Sequence, residues 1–172
     1  MVDLVSHVLW AYAVFNRQPD VWSYAVFSIL PDLIWAIPSV GGILTSGQAR
    51  EHFRNMRHFD RSERMKRIAG QPHFDLVRTL YHAAHSWLLM TVLGGMVWAL
   101  KPELAAPFFG GVFLHLAMDL FLHKESPFGQ HPFFPLSKFK VDGFIHWSDK
   151  RVLAANFALL AVAYLGIYLG GG

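Results

Sequence analysis

The chain has 172 residues, of which 53% are apolar types and 16% charged, with a formal net charge of +3 at pH 7. Soluble proteins average roughly 45–50% apolar and about 25% charged, so these totals argue against an ordinary soluble surface. There is no cysteine, which excludes disulfides, thiolate metal sites and a cysteine nucleophile and leaves nitrogen and oxygen to hold any metal.

Mean hydropathy is +0.31 and the pI about 9.3. A basic chain of this kind has anionic lipid or nucleic acid as natural partners. The length suits a single domain over residues 1–172. The N-terminus lacks a basic n-region and a small-residue cleavage site, so no cleavable signal peptide is expected.

Five apolar segments follow in chain order, near 4–15, 21–37, 84–100, 104–122 and 152–169. The first is short for a full span and reads as a tilted, re-entrant or interfacial helix beginning nearer residue 2. The second carries Pro31 and Asp32 inside an otherwise apolar run. Between it and the third lies a basic stretch, with an amphipathic insertion expected over about 45–80 and its clearest helical pattern at 47–68. The third and fourth segments are separated by Lys101-Pro102-Glu103, a polar turn that predicts an antiparallel hairpin. The fifth, VLAANFALLAVAYLGIYL, has one polar residue, Asn156, and no charge. Its 18 residues would cover about 27 Å, close to the hydrocarbon thickness of roughly 30 Å. The fold expected is therefore all-α, an integral membrane bundle of about five apolar helices with a cytoplasmic amphipathic insertion.

The distribution of Lys and Arg supplies an orientation. Thirteen of the fifteen fall in two loops, 38–83 and 123–151, and the other two, Arg17 and Lys101, sit in short turns. With five spans both basic loops lie on one face, which the positive-inside rule places in the cytoplasm of a multi-pass inner-membrane protein. No nucleic-acid-binding module is recognisable, so membrane lipid is the expected partner.

Seven ionisable residues interrupt or border the apolar segments: His7, Asp32, His82, His85, His115, Asp119 and His123. An Asp at the centre of a membrane helix costs roughly 2.5–3.5 kcal/mol on insertion scales, so such groups are normally paired, metal-bound or beside water. His115 and Asp119 are i, i+4 neighbours about 6 Å apart along one helix face and can share an ion. His123, about 12 Å from His115, cannot share it and would serve a second ion or a phosphate. His82 and His85 are expected as i, i+3 neighbours on the third apolar helix. In the deduced topology all seven lie in the cytoplasmic half. His52, His58, His73 and His146 read as solvated loop residues, whereas His131 could cap the site.

The order Ser6-His7, Pro31-Asp32, Tyr81-x-x-x-His85-Ser86, His115-x-x-x-Asp119 and a loop ending Pro135-Leu136-Ser137 resembles the predicted membrane-bound metal-dependent hydrolases. These are small bacterial and archaeal inner-membrane proteins of the domain of unknown function 457, YdjM-like, type. The similarity covers about residues 4–150. The His-x-x-x-Asp helix is also similar to that of zinc-dependent phospholipase C and related nucleases, all-α enzymes with clustered zinc. The resemblance implies metal roles for His7, Asp32, His85, His115 and Asp119. The chain departs from a string found in some members, His-Arg-Gly-x-Thr-His-Ser. It reads Thr79-Leu-Tyr-His-Ala-Ala-His-Ser86, which lacks the upstream His and puts His82 elsewhere.

The chemistry expected is hydrolysis of a phosphoester, with lipid-linked phosphate as a substrate suited to the membrane. The cofactor would be a divalent metal, zinc first, on His7, Asp32, His85, His115, Asp119 and His123. Asp32 or Asp119 would act as general base, and Arg78, His82 or Lys124 would hold the substrate phosphate. Two other readings stay open. The cluster could serve a non-catalytic metal-binding or transport protein, or the chain could be a membrane-anchored regulator that works through its basic 47–68 segment.

Overall fold

In a computed structural model, residues 2–45, 73–124, 129–145 and 149–170 are described. The 47–68 helix, most of the 45–80 insertion, and His52, His58 and His146 lie outside them. The described residues form six α-helices: α1 Val2–Phe15, α2 Val21–Thr45, α3 His73–Ala84, α4 Trp87–Leu100, α5 Pro102–Leu122 and α6 Lys150–Leu169. Their only sheet-like pairing is a single bridge between Gln130 and Val141. The protein is an all-α membrane bundle. Three of its described helices, within α2, α5 and α6, are long and apolar enough to cross a bilayer, and α3 with α4 make a fourth if the bent pair is one span.

The short first helix begins at Val2, as expected, and its 14 residues cover about 21 Å. The third apolar segment forms one helix, α4, which starts at Trp87 rather than at residue 84. Unforeseen is α3 ahead of it, which meets α4 at 64° across His85 and Ser86. The backbone chemistry explains the break. Ser86 is extended at φ −84°, ψ 117°, and its hydroxyl oxygen caps α4 by accepting from the Leu89 amide. The same hydroxyl is turned toward the carbonyls of Phe134 at 2.8 Å and Pro132 at 3.2 Å. A loop 46–48 residues further on therefore fixes the corner. His82 consequently lies in the last turn of α3 and His85 just beyond its end, its amide still bonded to the Tyr81 carbonyl, so neither belongs to the apolar helix α4.

Two further corrections concern limits. Helix α2 runs on to Thr45, past residue 37, and α3 occupies the end of what the sequence presents as a polar loop. His73 accordingly opens a helix rather than lying in a loop.

The bundle is organised around α2, which packs against α1, α3 and α5. The approach of α2 to α5 depends on Gly111. A Cβ there would strike the Tyr24 carbonyl oxygen, and would come within 2.9 Å of Phe27 Cβ and Ser28 N. Small residues let membrane helices close in this way where lipid supplies no hydrophobic drive. Above this contact Met90, Phe108, Val112 and Leu116 form the buried apolar core, with Phe27, Leu30 and Trp87 against it. Helix α6 lies at the edge, with 6% of its apolar window buried. Its single polar residue, Asn156, accepts from Trp10 Nε1 at 2.8 Å and donates to Ser6 Oγ at 2.9 Å. Tyr164 adds a hydrogen bond to the Leu9 carbonyl. Polar contacts thus dock α6 on α1, as hydrogen bonds do between helices that share a lipid environment.

Candidate metal centre

Three parts of the fold deliver four acidic and imidazole groups to one buried point. Asp32 comes from the middle of α2, His85 from the α3–α4 corner, and His115 and Asp119 from successive turns of α5. One ligand atom from each of the four lies within 4.8 Å of all the others, so the set could hold a metal ion. His85 Nε2 and His115 Nε2 are 3.1 Å apart. Asp119 Oδ2 is 3.3 Å from the first and 3.4 Å from the second. Asp32 Oδ1 stands slightly further out, at 3.7 and 4.0 Å. Ligands bound tetrahedrally at about 2.0–2.2 Å lie about 3.3–3.6 Å apart, and these distances bracket that spacing.

The second nitrogen of each imidazole decides how the first is used. His115 Nδ1 is 2.7 Å from the Ser28 carbonyl, and His85 Nδ1 is 3.0 Å from the Tyr81 carbonyl. A carbonyl only accepts, so both Nδ1 atoms carry the hydrogen. The two facing Nε2 atoms then present lone pairs to one another unless a proton or a cation lies between them. Anchoring of Nδ1 by a backbone carbonyl is the usual way a metal-bound histidine is oriented. Trp35 Nε1 donates to Asp32 Oδ1 at 3.2 Å and orients that carboxylate in the same fashion. The Tyr81 ring stacks on His85 at 4.0 Å.

His85 and His115 are wholly buried, Asp119 is 1% exposed and Asp32 9%. Two carboxylates in such a place are costly unless their charge is compensated. A divalent cation neutralises both, so the donor set fits one in charge as well as in spacing.

The other sequence-derived candidates are distributed around this core. His7, wholly buried on α1, has Nε2 3.3 Å from Asp119 Oδ1, and its ring lies 3.9 Å from that of His115. Asp119 therefore turns one oxygen to His85 and His115 and the other to His7. His123 caps the end of α5. Its Nδ1 lies 3.1 Å from the Asp119 carbonyl and 3.7 Å from Asp119 Oδ1, outside the four-residue set. His82 meets His131, ring to ring at 4.3 Å, so His131 covers His82 rather than the cluster. Arg78 pairs with Asp75 at 2.6 Å on the exposed side of α3, and Lys124 is an exposed residue just after α5.

Sequence reasoning missed the groups that hold the ligands: the Ser28 and Tyr81 carbonyls, Trp35 and Ser86. Tyr81 precedes His85 by four residues and Trp35 follows Asp32 by three, spacings that place helical neighbours together. The Ser28 carbonyl has no such signal, because its partner lies 87 residues away. No family model, curated protein or solved structure matches the chain.

Proposed function

We propose that the chain is a membrane-bound, metal-dependent hydrolase of phosphoesters, with lipid-linked phosphate as its substrate class. The observation that carries this reading is the convergence of two buried carboxylates on two imidazoles whose Nδ1 atoms are both engaged by carbonyls. The order of the motifs, which resembles the predicted membrane-bound metal-dependent hydrolases, supports the same reading.

His85, His115 and Asp119 would hold the ion, with His7 on the second oxygen of Asp119. Zinc is the first candidate, since imidazole and carboxylate suit it. When bound, such an ion lowers the pKa of a coordinated water toward about 7. Asp32, the outlying and least buried member, would take a proton from the attacking water. Arg78 and Lys124 would supply positive charge for the substrate phosphate, and His82 a neutral imidazole N–H. Asp119 is three residues from the end of α5, about 5 Å along the axis, a depth that a headgroup phosphate can reach. The Lys and Arg distribution supports placing this end on the cytoplasmic side of an inner membrane.

A second reading rests on the complete burial of His85 and His115. Structural metal sites are closed, whereas catalytic ones keep an open position. The test is a panel of lipid phosphate mono- and diesters presented to the purified, metal-loaded protein beside its Asp32→Asn variant. Turnover lost in the variant supports a hydrolase. Stoichiometric metal with no turnover on any ester supports the structural site.

A further inference from the structure

The connection between α5 and α6 carries a surface of its own. Both helices are candidate spans, so their connection starts and ends at one face of the bundle, the face nearest Asp119. Within it Leu136 is 82% exposed, Phe144 73%, Phe139 57% and Phe133 52%. A membrane helix exposes apolar residues to lipid, but a loop in water has no reason to.

These side chains are held in place. Gln130, almost wholly buried, donates to the Leu116 carbonyl at 2.9 Å, and Leu88 N donates to the Pro132 carbonyl at 3.0 Å. At the far end the Phe144 and Ile145 amides both donate to the Phe121 carbonyl at 3.0 Å. Gly143 permits that approach, since a Cβ there would come within 2.6 Å of the His123 amide nitrogen. Phe121, exposed on the last turn of α5, has its ring 6.1 Å from that of Phe144. The apolar surface of the span therefore continues onto the loop. Exposed Lys124, Lys138, Lys150 and Arg151 flank or punctuate it in sequence, as does Lys140, which pairs with Asp142 at 2.6 Å; Asp142 and Asp149 are the acidic residues there among the described residues.

We propose that the 130–145 loop is an interfacial wedge. It seats Phe133, Leu136, Phe139 and Phe144 in the headgroup–acyl boundary of an anionic leaflet, with the neighbouring lysines on lipid phosphates. Apolar side chains interleaved with lysines match the two components of such a surface, hydrocarbon and negative charge. The wedge does not depend on metal binding or on hydrolysis.

The chain's lack of cysteine makes the test clean. Single variants Leu136→Cys, Phe144→Cys, Asp142→Cys and, as a control for insertion, Val162→Cys on lipid-facing α6 are nitroxide-labelled. The full chain is then placed in nanodiscs of phosphatidylcholine and phosphatidylglycerol. Electron paramagnetic resonance compares collisions with oxygen and with a water-soluble nickel chelate. Oxygen should dominate at 136 and 144, as at 162, and nickel at 142. In pure phosphatidylcholine, or with Lys138→Gln/Lys140→Gln, nickel access at 136 should rise severalfold. Nickel access at 136 and 144 equal to that at 142, with 162 protected, overturns the wedge. Insensitivity to both lipid charge and the lysine substitutions overturns the anionic partner. Dipolar broadening between labels at 136 identifies a second copy as the occupant and overturns the proposal as well.

Discussion

His85 Nε2 and His115 Nε2 face each other at 3.1 Å although the chain brings them from 30 residues apart. Each ring is held from behind by a backbone carbonyl, Tyr81 for the first and Ser28 for the second. Neither imidazole can turn its lone pair away without losing that bond. Asp119 and Asp32 complete the arrangement from α5 and α2, and this fixed geometry sets what substitutions should do.

The two carboxylates should separate in their effects. Asp119 faces both His85 and His115 at 3.3–3.4 Å and is buried, whereas Asp32 stands at 3.7–4.0 Å. Asp119→Asn should abolish stable metal binding. Asp32→Asn should retain most of the metal and lose ester hydrolysis by about 10²–10⁴-fold, the usual contribution of a general base. Metal titration and turnover on the same preparations check the split.

Gly111→Val should act at a distance from the ligands. The added side chain collides with the Tyr24 carbonyl and with Phe27, forcing α5 off α2 and with it His115 off Ser28. Overpacking of this kind typically costs about 1–3 kcal/mol. A lowered thermal midpoint in detergent should accompany weaker metal affinity. Gly41→Ala, where nothing lies within 4 Å of the added Cβ, should lower neither.

Ser86→Ala removes the cap of α4 and the hydroxyl that faces the Phe134 and Pro132 carbonyls. Loss of a cap costs about 0.5–2 kcal/mol. The corner that presents His85 should loosen, seen as faster amide exchange at residues 85–89 and a modest loss of metal affinity.

Some of this was legible in the chain and some was not. His115 and Asp119 were readable as a pair because helical spacing alone puts them on one face. His7, Asp32 and His85 were readable only as polar residues in apolar surroundings, which marks them as purposeful without saying where they meet. The corner at His85-Ser86 escaped because neither residue is a helix breaker. It exists because Ser86 finds carbonyls in a loop far along the chain. The start of α3 escaped because residues 73–84 mix polar and apolar types and read as loop. Asn156 showed no purpose in sequence, yet it is the polar residue through which α6 grips Ser6 and Trp10.

The most direct test is the metal content of the detergent-purified protein, wild type beside His115→Ala/Asp119→Ala, by plasma mass spectrometry. A transition metal at one or two equivalents in the wild type, lost in a double variant that still folds as a helical protein, is the predicted result. A wild type that is metal-free and takes up no added zinc would contradict the account.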